Sequence, residues 1–256
     1  MKVSSTVTRF TTALALASLF ACGAPSDDLE LTEQGAAALE ENYVGDHGPG
    51  WDKPEKDPTK DPDFSIKELT EDPIILEAPE RVVLDFTWQG QPNGFWCGPG
   101  STRMALTTRL REIPTQAVLA TALGTTTDGT ARADVIRVLN QYLTPYTRYE
   151  SVPMDGRPTD AQRALLKYNL IRRLSSGMPF VANVLSGWRP PGYPTGTIGH
   201  FVAVMGYEQR GEKVLIADPA AEGSAGPRWE NVPRTYWISL QNLGTWIGAR
   251  GYTGGY

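Results

Sequence analysis

Thiols and imidazoles are scarce, with two cysteines and two histidines in 256 residues. A framework of several disulfides is excluded by that count. A structural zinc site is disfavoured because Cys22, His47, Cys97 and His200 form none of the close pairs such sites use. No metal or other cofactor is expected. The mostly apolar run Phe10 to Ala21 is only 12 residues long, too short to cross a bilayer as a helix. A basic block is missing too: the 24 Lys and Arg residues are dispersed and outnumbered by 29 Asp and Glu, for a net charge of -5. Nucleic acid is therefore not an expected partner. There is no heptad, internal repeat or second domain, and a monomer is expected. The serine-hydrolase pattern G-x-S-x-G is absent, and Ser101 falls one turn inside the helix that begins at Cys97.

What is present begins with an export signal. Lys2 and Arg9 precede the short apolar run, so residues 1–21 read as a signal peptide. Leu19-Phe20-Ala21-Cys22 resembles a bacterial lipobox, although Phe20 departs from its usual small residue, and implies a lipidated Cys22 and a membrane-anchored protein of the cell envelope. Ordinary cleavage just beyond would instead release a secreted form. Either route removes Cys22 from disulfide chemistry and leaves Cys97 as a lone exported thiol, where cysteines normally come in pairs. From residue 22 to 80 the composition turns to Asp, Glu, Pro, Lys and Gly, with prolines at 49, 54, 58, 62, 73 and 79. That stretch reads as a disordered tether or propeptide, with one short helix over Thr32 to Glu41.

The remainder, 81–256, has the apolar periodicity of a globular domain. Helices are predicted over Cys97 to Arg111, Thr115 to Leu123, Ala131 to Leu143 and Pro158 to Ser175. Strands are predicted over Phe180 to Leu185, His200 to Tyr207, Lys213 to Ala217 and Thr235 to Ile238. Helices followed by strands give an α+β domain. The closing G-Y-T-G-G-Y reads as a flexible tail.

Cys97 stands where the loop Q-P-N-G-F-W meets the helix C-G-P-G-S-T-R-M-A-L. The free N–H groups and positive dipole end of a first helical turn favour a thiolate, the reactive form. Gly98 and Gly100 would leave the backbone beside the sulfur open to a substrate carbonyl; a packing cysteine needs neither feature. A thiolate catalyst needs a proton carrier, and His200 is the only histidine of the folded part. Taken alone it is as compatible with a structural role. Yet G-H-F-V-A-V-M-G-Y, E-Q-R-G-E and K-V-L-I-A-D-P read as a β-hairpin centred near residue 209, which sets His200 opposite Asp218. Asp218 can orient the imidazole or merely cap its strand. Gln91, six residues before Cys97, can offer an amide to an oxyanion, with Gln89 as competitor and an ordinary surface role open to both.

The run Q-P-N-G-F-W-C-G-P-G-S, followed by G-H-F-V-A-V-M-G-Y and V-L-I-A-D-P, resembles cysteine-peptidase family thirty-nine, the bacteriocin-processing-peptidase-like branch of the papain-like superfamily, over about residues 82–247. The resemblance implies a papain-like fold, a peptide or protein substrate, Cys97 as nucleophile, His200 as general base, Asp218 as orienting acid and Gln91 in the oxyanion hole. Gly100 replaces the Ala of many relatives, which should only loosen the helix start, and no transporter segment is attached. The same residues suit an acyltransferase of transglutaminase type, and the fold alone suits a silent peptide- or cell-wall-binding module. Ser186 to Gly199, rich in Gly and Pro, should rim the groove, with Trp188 and Tyr193 either touching substrate or packing the loop down.

Overall fold

A computed structural model describes residues 56–144, 146–185, 188–196, 198–248 and 250–254. The signal peptide, Cys22, His47 and the helix expected over 32–41 lie outside the described residues. No helix among the described residues is long and apolar enough to cross a membrane. Helices α1 (Ile66–Glu71) and α2 (Pro73–Leu76) come first, then β1 (Val82–Val83), α3 (Cys97–Thr107), α4 (Gln116–Ala122), α5 (Arg132–Leu143), β2 (Glu150–Pro153) and α6 (Asp160–Ser175). They are followed by β3 (Phe180–Val184), β4 (His200–Glu208), β5 (Lys213–Ala217), β6 (Thr235–Ser239), α7 (Leu240–Ile247) and β7 (Gly251–Gly254).

The strands form one antiparallel sheet in the order β2-β7-β3-β4-β5-β6, with β1 paired to the far end of β4. Strands β3 and β4 are buried almost throughout, and α5 and α6 turn Val135, Val138, Leu139, Leu165, Leu166, Leu170, Ile171 and Leu174 into the core. Helix α3 lies against β4, and Ser101 Oγ donates to Phe201 O at 2.9 Å, tying the helix to the residue after His200. A smaller cluster joins Met104 of α3 to Ala203, Met205, Leu215 and Ala217, covered by Phe86 and Trp88. The α+β class and the eight anticipated elements stand, with ends moved by a few residues; α3 closes early where Thr107 and Thr108 hydroxyls bond the carbonyls of Met104 and Ala105 at 2.6 and 2.9 Å.

Two expectations are corrected. Residues 56–80 carry regular structure: a 3₁₀ turn (Pro58–Lys60), α1 and α2 all pack on α6. Pro58 and Pro73 sit in the first turn of their helices, where a missing N–H costs nothing, and Asp57, Ser65 and Asp72 cap those turns. Buried Asp57 also accepts from Gln162 Nε2 at 2.8 Å, hooking the segment onto the capping box of α6. The other correction concerns residues 251–254, which are the buried strand β7 between β2 and β3 rather than a flexible tail. Its ladder partners are residues about 70 to 100 positions away, a pairing that no local pattern encodes.

Candidate active site

Cys97 opens α3 with 3% of its surface exposed, and it is the free cysteine of the described residues. The helix cap is Trp96, which makes no side-chain capping bond, whereas α4, α6 and α7 begin with Thr115, Thr159 and Ser239 bonded to their first turns. The first-turn N–H groups beside the sulfur are thus left without a side-chain acceptor. Gly98 and Gly100 do a different job from the one expected. A methyl on Gly98 would stand 2.4 Å from Thr130 Oγ1, and one on Gly100 would stand 2.8 Å from the Pro219 side chain. The two glycines let the 130 loop and the segment after Asp218 close against the helix start. Glycine at 100 therefore serves packing at the helix start.

His200 Nε2 lies 2.9 Å from Asp218 Oδ1. Cys97 acts on the same ring, being one of the groups that raise its pKa. The hairpin register is not the one anticipated: the ladder pairs Glu208 with Lys213 and ends at Ala203 with Ala217, shifted by a bulge between Val204 and Gly206. The turn therefore centres between 210 and 211. His200 lies three residues beyond the last pair and Asp218 one, so they meet diagonally past the end of the ladder. Trp229 tilts over the imidazole at 5.2 Å between ring centroids and Tyr193 stands edge-on at 6.2 Å.

Asp218 is fully buried and both carboxylate oxygens are used. Oδ1 accepts from His200 and from Ala220 N at 2.9 Å, so the strand-capping role and the contact with His200 coexist. Oδ2 accepts from Tyr236 OH at 2.8 Å and from Tyr193 OH. Its backbone is fixed too, N–H donating to Arg234 O at 3.0 Å and C=O accepting from Trp88 Nε1 at 2.8 Å. Burial pushes the carboxyl up, but the His200 charge and the hydrogen bonds from His200, Tyr193 and Tyr236 reverse this and hold it below the usual carboxylate range. For His200, burial opposes the charge; Asp218 first and Cys97 second overcome it and lift the imidazole to about 10. The two shifts favour an imidazolium paired with a carboxylate.

Gln91 is buried, not a surface glutamine. Its backbone N–H donates to Pro219 O at 2.8 Å and its Nε2 to Asn93 O at 2.6 Å. Gln89 is only half-buried. Trp188 stacks edge-on against Trp246 at 5.8 Å, and the Tyr193 hydroxyl turns inward to Asp218, so both aromatics pack residues 188–196 down. Sequence reasoning missed Tyr236, Trp229, Trp88 and Ser101 as site residues. No local signal marks them; all four reach the site by tertiary packing. Among the described residues no cluster of His, Cys, Asp or Glu is arranged to hold a metal.

A lone cysteine at a helix start, packed on an antiparallel sheet with a histidine opening one strand and an aspartate just past the end of the next, is the papain-like cysteine-peptidase arrangement. The profile described as Peptidase_C39 like family matches residues 83–245, and the chain belongs to that family and is a cysteine peptidase. Two solved structures are similar. Xylellain, a cysteine protease from Xylella fastidiosa, is 17% identical with TM-score 0.44, covering 72% of this chain and 88% of that one. The peptidase domain of Streptococcus ComA, a bi-functional ABC transporter involved in quorum sensing, is 14% identical with TM-score 0.39, covering 70% of this chain and 100% of that one. No curated protein sequence matches significantly.

Proposed function

We propose that this cysteine peptidase hydrolyses peptide or amide bonds with Cys97 as nucleophile, His200 as proton carrier, Asp218 as orienting acid and Gln91 as oxyanion donor. The observation that carries the reading is His200, bonded through Nε2 to buried Asp218 at 2.9 Å, in a site where a lone buried Cys97 opens its helix and acts on the same ring. The thiolate attacks the substrate carbonyl, and the displaced electron pair moves onto oxygen. That oxyanion takes the Cys97 backbone N–H and the second amide hydrogen of Gln91, the first being spent on Asn93 O. The intermediate collapses with C–N cleavage as imidazolium protonates the leaving amine, giving a thioester. Neutral His200 then takes a proton from water, which attacks the thioester and releases the acid and the thiolate. Export is part of the proposal: once the signal peptide 1–21 is cleaved, a lipidated Cys22 would hold the domain outside the membrane.

The test is cleavage of a peptide library by the full chain and by Cys97→Ala, with products identified by mass. Hydrolysed fragments from the first and none from the second are expected. Equal cleavage by a folded Cys97→Ala chain overturns the reading, and fragments carrying an added amine would replace hydrolysis with acyl transfer. Anchoring is tested by intact mass: diacylglycerol on Cys22 is expected, and a water-soluble form beginning at a later residue contradicts it.

A further inference from the structure

The geometry assigns Tyr193 and Tyr236 to the reaction as positioning residues: together they hold Asp218 ionised against His200, so that the loop around Tyr193 and β6 maintain the orienting acid. This rests on the peptidase reading above. The two hydroxyls reach one carboxylate oxygen from different parts of the fold. Tyr193 comes from the loop that leads into His200, and Tyr236 from β6 beside the end of β5. They also bond each other at 3.1 Å. Each ring is half-buried, but the hydroxyl end points inward, and burial together with the Asp218 charge keeps both phenols protonated, hence donors.

The arrangement addresses a specific problem. A carboxylate removed from water costs free energy unless its lone pairs are filled. Oδ1 is filled by His200 and Ala220 N, which leaves Oδ2 to the tyrosines. The other charged groups around Asp218 do not replace them. The Arg234 guanidinium is committed to Glu222, at 2.7 Å, and stacks on the Trp88 ring at 4.4 Å, so from this side only its carbonyl meets Asp218. Cys97 is not among the groups that act on Asp218. Tyr193 is wedged by Trp229 and Trp246 at 5.1 and 5.2 Å, and Gly192, with φ +88°, lies so close to Asn231 that a methyl would stand 2.3 Å from its carbonyl oxygen. The loop is thereby pressed down with its tyrosine aimed at the acid.

The experiment compares Tyr193→Phe, Tyr236→Phe and the double variant with the parent, all as full chains. The pH profile of kcat/KM should keep its neutral plateau within a few-fold. Its acid limb should rise by about one pH unit in each single variant and about two in the double, because a hydrogen bond to a charged group is worth roughly that shift. A purely structural role would lower stability and leave the limb in place. The second arm needs no substrate. With His47→Gln, His200 is the only histidine, and the proton on its Nε2 is read by NMR as pH falls. Its downfield hydrogen-bonded signal should be lost about one unit higher in each single variant. Unchanged titration in folded variants overturns the assignment. If the parent cleaves no peptide while the NMR shift is seen, the peptidase reading fails and the positioning of Asp218 by the tyrosines stands.

Discussion

The two ends of the β4–β5 hairpin are held by interactions of opposite kind. At the turn, Glu208 pairs with Lys213 at 3.4 Å and Arg81 at 4.0 Å, and Arg210 with Glu80 at 3.3 Å, all in contact with solvent. At the open end, His200 and Asp218 are buried, with every carboxylate lone-pair direction taken up by protein. Exposed pairs are screened and worth little. A buried pair gains little over apolar packing, yet removing one partner strands the other charge. The open end is therefore the place where a single substitution damages folding and chemistry together, and a double one can separate them.

The largest effect should come from His200→Ala. Turnover should be almost abolished, since neither thiolate formation nor leaving-group protonation has another carrier, and stability should fall by roughly 3–5 kcal/mol as Asp218 is left uncompensated. His200→Gln combined with Asp218→Asn should recover most of that stability, read by urea unfolding, without recovering turnover. The pH dependence follows the same pair. His200 is raised from 6.5 to about 10 in the folded state, so its stabilising contribution is complete below 6.5 and fades as pH rises through about 10. Asp218 is lowered from 3.8, so its contribution is present above that value and fades as pH falls through the lower folded one. Urea midpoints measured across pH should show both slopes in the parent and neither in the double variant.

Asp218→Asn alone should cost between about 10² and 10⁴ in kcat, because an amide still holds the ring but stabilises imidazolium less well. Gln91→Ala should cost on the order of 10², since the Cys97 N–H remains for the oxyanion; damage from Gln89→Ala with a silent Gln91→Ala would move that role by two residues. Lys213→Ala, at the turn, should change stability by less than about 0.5 kcal/mol and leave kcat unaltered. A large effect there would erase the contrast between the two ends.

The same contrast explains what the sequence discloses. Cys97, His200 and Asp218 are visible because one sits at a loop-to-helix junction and the other two flank a local hairpin. The bulge at Val204 and Gly206 is not visible, so the expected direct opposition becomes a diagonal contact. Tyr236 faces Asp218 because β6 joins β5, and Tyr193 because Trp229 and Trp246 wedge it. Both depend on long-range packing that periodicity does not carry. The proline-rich stretch before residue 80 misleads for a local reason: proline count signals irregularity, whereas Pro58 and Pro73 occupy helix starts. Gly251–Gly254 misleads because a glycine-rich end resembles a tail until β2 and β3 are there to pair with it.

The central claim is that His200, held charged by Asp218, keeps Cys97 reactive at neutral pH. The most direct measurement is the rate of iodoacetamide alkylation at residue 97, followed by peptide mapping at pH 6, in the parent and in the folded double variant His200→Gln, Asp218→Asn. The expected result is alkylation at least about tenfold faster in the parent, since the double variant loses the proton carrier proposed to activate the sulfur. Equal rates in the two folded proteins would contradict the account.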